Sequence, residues 1–340
     1  MIIRTLLAAL ALSTLALPSW AQVVDHAAIR ERALSTLEAQ FGDFAKVASE
    51  LSEQAVGYCA GESSAEDFTQ AYHNAWLAWA PLDSYQFGPI EQRGAVLRIG
   101  FWPDKKGFVG RGLRNLLALP EAALSDPDTI AGASAAAQGL PAIEYLMVSD
   151  LPQCPAVIGI SAQVSRVADA LFADWFAAEG WADLTRQAGP DNPVYLSDAE
   201  VSKELFTAMD FGLTRIADMR LGRPMGTFDK PMPRRAEAWR SGLSFDLIQA
   251  QLSGIGALLE TGFKTEDNKD DIEALLHKLA EIQSRIEAFD APLDVVVTDP
   301  ITRFRVEAVQ TETRLLQLAL TETLGGGMGL KLGFSAADGD

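Results

Sequence analysis

Apolar residues recur at spacings of three and four along almost the whole chain, while alternation with a period of two is nearly absent. A helix gathers residues i, i+3, i+4 and i+7 on one face and a strand gathers every second residue, so this pattern restricts the fold to packed helices. The clearest stripe is Leu34, Leu37, Phe41, Phe44, Val47, Leu51 and Ala55, on a long first helix with Asp25 as N-cap and Gly57 or Gly61 at its end. Phe68, Ala71, Tyr72, Ala75, Trp76 and Trp79 continue it on a second helix, opened by the capping box Ser64-Ala65-Glu66-Asp67 and stopped by Pro81. From Tyr85 to Gly107 the chain is rich in Gly, Pro and aromatics, which reads as a long structured loop able to carry function. Helical pattern returns over 110–119 and 128–148, and then over 160–179, 198–221, 244–262, 270–288 and 300–323.

Leu151-Pro152-Gln153-Cys154-Pro155 interrupts helix on both sides and is the expected domain boundary. In the second half, Ser197 with Glu200 forms another capping box, and Asp299-Pro300 supplies an N-cap with proline at the first helical position. The expected architecture is all-α: a helical bundle over 22–150, a second over 151–340, and a ligand-site cleft between them.

Residues 1–21 carry Arg4, an apolar run from Leu6 to Leu17, and then Pro18-Ser19-Trp20-Ala21, the layout of a secretory signal peptide cleaved after Ala21. The run is too short to span a bilayer and no second long apolar segment is evident, so a periplasmic protein without a membrane span is expected. No cysteine stands at the cleavage point for lipid anchoring. The formal charge of −18 disfavours nucleic acid and anionic membranes as partners. Cys59 and Cys154 are the only cysteines; an oxidising compartment allows them to bridge, and two separate buried thiols are the alternative.

Local motifs for hydrolytic chemistry are missing. His26, His73 and His277 are the only histidines, none in a His-Glu-x-x-His arrangement, and there is no Gly-x-Ser-x-Gly elbow. Glu273, His277 and Glu281 lie four apart on one helix face and form either three ligands for a metal or a solvated charged surface, the blander reading. His73, three residues before Trp76, reads as a satisfied interfacial histidine.

Four islands point further. Ala137-Gln138-Gly139-Leu140-Pro141-Ala142-Ile143-Glu144 resembles the Gly-x-His-x-x-Glu signature of the imelysin-like proteins, the M75 peptidases, with Pro141 where the family has histidine. Tyr85-Gln86-Phe87-Gly88-Pro89 followed by Gly100-Phe101-Trp102-Pro103-Asp104 looks like the family's loop region. The stretch from Arg234 to Ser244, with Arg240-Ser241-Gly242 at its centre, resembles the family's Arg-Ser-Gly segment, and Leu330 to Asp340 is similar to its Asp-Gly-Asp terminus. The resemblance implies an all-α exported protein associated with iron uptake, in a family some of whose members are described as metallopeptidases.

Imidazole replaced by proline removes a nitrogen ligand and offers no donor, so no catalytic residue is expected and a non-enzymatic role is favoured over an enzymatic one. The expected function is a non-catalytic ligand- or partner-binding component linked to iron or other metal uptake. Alternatives are an M75-type metallopeptidase and an acidic docking or structural envelope protein. The expected ligand-binding residues are Gly139, Pro141, Glu144, Trp102, Asp104, Arg240 and Ser241, with Glu144 as the one metal-ligand candidate, joined by Asp83 or Asp104 if carboxylates converge. No cofactor is certain; iron or another divalent metal is the candidate, and the partner is an unknown small ligand, a metal or an envelope protein. Pro141 is expected to open a helix whose first turn holds Glu144, either facing the cleft or accepting that helix's own free amides, and Arg240 is expected to pair with Glu144 across the halves.

Overall fold

The computed structural model describes residues 24–149 and 154–330. The expected leader and its cleavage point, residues 151–153 of the expected boundary, and residues 331–340 at the chain end lie outside the described residues.

Among the described residues the regular structure is helical, with one isolated antiparallel bridge between Thr227 and Lys230. Helix α1 spans His26–Ala60, and the seven residues of its expected stripe are buried. Asp25 accepts the Ala28 amide, and Gly61 ends the helix in the left-handed region with φ 75°. Helix α2, Ala65–Leu82, begins with the reciprocal Ser64–Asp67 capping box and runs one residue past Pro81. The loop from Tyr85 contains two short helices, Pro89–Gln92 and Ala95–Ile99, before α3 at Phe108–Leu116.

The helical run expected over 128–148 is broken. A short helix, Pro127–Gly132, and a 3-10 turn, Ala135–Ala137, precede an extended Gly139, and a new helix α4 starts at Leu140 and ends at Met147. Pro141 stands in its first turn, where a missing N–H costs nothing. Helix α5, Cys154–Phe176, is bridged to the end of α1 by the Cys59–Cys154 disulfide, with Cα atoms 5.5 Å apart.

Helix α6, Asp198–Thr214, runs into a π-helical stretch, Arg215–Leu221, and α7, Ser244–Ala257, into another, Leu258–Phe263. Helices α8, Lys269–Glu287, and α9, Pro300–Leu320, complete the set, with Asp299 capping α9 as expected. The capping box expected at α6 does not form: Glu200 accepts the amide of Leu196, one residue before Ser197, at 2.6 Å, and Ser197 caps nothing.

Helix α1 is the spine of the fold. It packs along α5 and α2 on one side and reaches α6 and the π-helical end of α7 on the other. A second group forms from α6, α8 and α9, and α2 and α7 join the groups. Helices from both sides of the expected boundary therefore share one contiguous buried core. At the α2–α7 crossing a Cβ on Gly254 would sit 2.5 Å from the Pro81 side chain, so only glycine lets these two helices approach so closely.

One sequence expectation needs amending. The segment Cys154–Arg186 reaches a mean hydropathy of 1.3 over a window long enough for a membrane span. In the fold α5 lies against α1, with Ile160, Val164, Ala168 and Leu171 buried there, as in the core helix of a globular bundle.

Candidate functional site

Glu144 leaves α4 toward the second half of the chain and is 3% exposed. Its Oε1 accepts three donors: the backbone amides of Arg240 at 3.1 Å and Ser241 at 3.0 Å, and the Ser241 hydroxyl at 2.9 Å. Oε2 faces Arg240 Nη1 at 3.5 Å. The expected link between the halves is therefore present, but not in the form anticipated. Glu144 lies beyond the first turn of α4 and caps none of its own helix's amides; it satisfies those of the 240–241 turn instead.

That turn needs holding. Ala238 adopts φ 52°, in the left-handed region that costs a residue with a Cβ roughly 1 kcal/mol, and Gly242 follows at φ 74°. The Ala238 carbonyl, 3.2 Å from the Ser241 oxygen, is the alternative acceptor for that one hydroxyl proton. Burial pushes the Glu144 carboxyl above the ordinary carboxylate range, with the Ser241 and Arg240 donors pulling the other way. Gly139 sets the depth of α4: a Cβ there would lie 2.3 Å and 2.4 Å from the carbonyl oxygens of Ile99 and Arg98. The glycine of the motif is required by backbone packing.

Above α4 opens a cavity of about 220 Å³ whose lining includes Trp102, Asp104, Pro141, Glu144 and Arg240. Five of the seven expected site residues thus meet in one place. Gly139 and Ser241 stand behind it as packing and anchoring groups. Trp102, joined to Pro103 by a cis peptide bond, forms an aromatic wall. Asp104 caps α3: its carboxylate accepts the amides of Phe108 at 2.6 Å and Val109 at 3.1 Å. It does not converge on Glu144 as a second metal ligand.

Nor does Asp83. It is fully buried in a network that sequence reasoning missed. Asp83 Oδ2 accepts Arg215 Nη2 and Arg220 Nη2, each at 2.9 Å, and Arg220 Nε donates to Glu237 at 2.7 Å. Gln251 Nε2 reaches Ser84 Oγ at 2.7 Å and Asp83 Oδ1 at 3.3 Å. Two arginines and two carboxylates cancel, which makes their burial affordable. The π-helical stretch turns both Arg215 and Arg220 inward. Arg215 also lies 5.4 Å from the Trp102 ring, so the network supports the aromatic wall from behind. Glu237 begins the turn that Glu144 holds.

The three histidines behave as solvated or packed groups. His277 is exposed with Glu281 at 3.7 Å, and Glu273 is taken by Lys264 at 3.2 Å. His26 meets Ser202 at 3.0 Å, and burial lowers the His73 pKa against the pull of Asp246.

The cavity also includes Trp76, Lys105, Arg223, Arg234, Arg235 and Trp239, which sequence reasoning did not assign to the site. The run Arg234-Arg235 close to Arg240, in a chain with 46 acidic and 28 basic residues, was the available signal.

A metal fits this donor set poorly. Three donors fill Oε1 of Glu144, a guanidinium faces Oε2, and position 141 has no ligating atom. Among the described residues no group of three His, Cys, Asp or Glu side chains comes together.

The family model for imelysin, peptidase M75, matches residues 37–320. Among solved structures, an imelysin-like protein from Psychrobacter arcticus 273-4 superposes with a TM-score of 0.74 at 19% identity, over 92% of this chain and 99% of that one. A putative iron-regulated protein A precursor from Parabacteroides distasonis ATCC 8503 gives 0.70 at 11% identity, over 90% and 97%. These likenesses establish the shared all-α fold. No curated protein sequence matches the chain.

Proposed function

The chain belongs to the imelysin family, peptidase M75, and from that premise we propose that it is an exported, non-catalytic binding protein of a metal-acquisition system whose ligand occupies the cavity above α4. The observation that carries this reading is the use of Glu144: its acceptor positions serve the 240–241 turn, and Pro141 supplies no donor. A metallopeptidase needs a metal held by several side chains with one position open, and among the described residues no three His, Cys, Asp or Glu side chains come together to hold one. The link to iron draws on the description of the Parabacteroides neighbour as iron-regulated, and export draws on the word precursor there and on the leader-like residues 1–21.

The test is mass-spectrometric metal and small-molecule content of the natively purified protein, with peptide cleavage assayed in the presence and absence of chelator. A co-purifying organic ligand with substoichiometric metal is the expected result. Stoichiometric metal together with chelator-sensitive cleavage would establish the peptidase reading in its place. Docking to an envelope partner is the second reading, favoured by Ile301, Phe304, Leu315 and Leu318, which stand exposed on α9.

A further inference from the structure

The cavity has the opposite charge from the protein around it. The chain carries −18 overall, yet Lys105, Arg223, Arg234, Arg235 and Arg240 line this one space. Both carboxylates there are engaged within the protein, Asp104 with the α3 amides and Glu144 with the 240–241 turn. In a chain with such an excess of acid, basic side chains find carboxylate partners easily. Arg234 and Arg235 nevertheless form no ion pair with any described residue.

From this we infer that the cavity binds a small organic anion bearing two or more carboxylate or phosphate groups, an inference that rests on the binding reading above and names its ligand class. Aromatic faces hold the guanidinium groups in place. Arg240 lies 4.6 Å from the Trp239 ring and 5.1 Å from that of Tyr145, and Arg234 lies 5.6 Å from Trp239 on the same ring system. A guanidinium stacked by its face keeps its N–H groups in the plane, where they meet carboxylate or phosphate oxygens in pairs. A bare cation in the same place meets five positive side chains.

Trp76 lines the cavity, is 1% exposed, and its indole N–H has no hydrogen-bond partner. That N–H has almost no accessible surface, so Trp76 contributes its ring to the cavity wall and its N–H is no contact for a ligand. Phe101, Trp102 and Trp239 give the carbon skeleton of such a ligand an apolar surface, and the volume of about 220 Å³ limits it to metabolite size.

The test is titration of the full-length protein, followed by tryptophan fluorescence and calorimetry, with citrate, inorganic phosphate, zinc chloride alone and glucose as probes. Citrate or phosphate is expected to saturate, and added salt is expected to weaken it. The exposed pair Arg234→Ala/Arg235→Ala is expected to raise Kd by about tenfold or more with the melting temperature unchanged. Saturation by phosphate without citrate assigns the ligand to phosphorylated compounds, and the reverse to polycarboxylates. The inference is overturned if neither anion saturates up to about 10 mM, a Kd worth under ~3 kcal/mol, or if the double arginine variant binds as well as the parent. Saturation by zinc or glucose alone would remove the anion while leaving the binding reading standing. A natively purified protein with no ligand of any class would remove the binding reading itself.

Discussion

Replacing Glu144 by alanine takes the acceptor away from three donors at once, and its cost can be worked from their geometry. The Ser241 hydroxyl turns to the Ala238 carbonyl at 3.2 Å, so two backbone N–H groups, those of Arg240 and Ser241, are left without an acceptor. Each buried orphan costs about 1–3 kcal/mol, and the side opening onto the cavity admits water and favours the lower end. Losing the carboxylate also relieves its desolvation, the burial that raises its pKa. The net loss is about 2 kcal/mol, equivalent to roughly 3 °C in melting temperature for a chain of 340 residues. Glu144→Gln keeps one oxygen at the same place and is expected to lose about 1 kcal/mol. Thermal melts by circular dichroism and urea unfolding at neutral pH measure both. An alanine variant melting with the parent would refute the anchoring role, and a glutamine variant as weak as alanine would show that charge, not acceptor placement, holds the turn.

Gly139→Ala is expected to destabilise by about 3 kcal/mol or more, since the added Cβ meets two backbone carbonyls that have no rotamer to escape into; a soluble variant within 1 °C of the parent, well inside the ~4 °C that 3 kcal/mol moves a chain of this size, would contradict the packing described for α4. Arg220→Ala leaves Asp83 and Glu237 buried without their shared partner and is expected to cost about 3–5 kcal/mol by urea unfolding, whereas a small loss would mean that Arg215 alone neutralises the site. Glu204 titrates in the physiological range. Burial raises its carboxyl to about 7 while the Tyr195 hydroxyl, which donates to it, pulls downward. The folded state therefore holds a proton that the unfolded chain has released, and stability falls as pH rises from the ordinary value of 4.5 through about 7, by up to ~3 kcal/mol. Glu204→Gln is expected to flatten that slope in unfolding measured across the window, and an unchanged slope would assign it to other groups.

Much of the fold was legible because it depends on neighbours in sequence. The α1 stripe, the Asp25, Ser64 and Asp299 caps, and the new helix at Pro141 all follow from side chains within a turn or two of one another. The Ser197 box failed where the rule was still local, because Glu200 reaches the amide of Leu196, one residue earlier than the motif requires. The site was legible only as a set of islands. The pairing of Glu144 with the Arg240-Ser241 segment could be anticipated, but what it would mean could not: the acceptor serves backbone amides 96 and 97 residues away rather than a metal. Asp83 and Arg220 are 137 positions apart, and Arg220 is turned inward by a π-helical stretch that carries no helical-period signature. The basic character of the cavity was hidden for a related reason. Overall charge averages away the sign of a small enclosed surface, which only the fold assembles.

The disulfide divides the cavity wall in an unequal way. Cys59 and Cys154 are 95 residues apart, and the covalent ring they close contains Trp76, Trp102, Lys105, Pro141 and Glu144. The arginines from Arg223 to Arg240 belong to the chain outside that ring. A single protease cut at the exposed Lys105-Lys106 corner therefore opens the ring without releasing either piece, and the two halves of the wall remain in one molecule until a reductant separates them. In an oxidising compartment the aromatic and carboxylate side of the cavity is thus insured against nicking, a protection that the arginine side must obtain from packing alone.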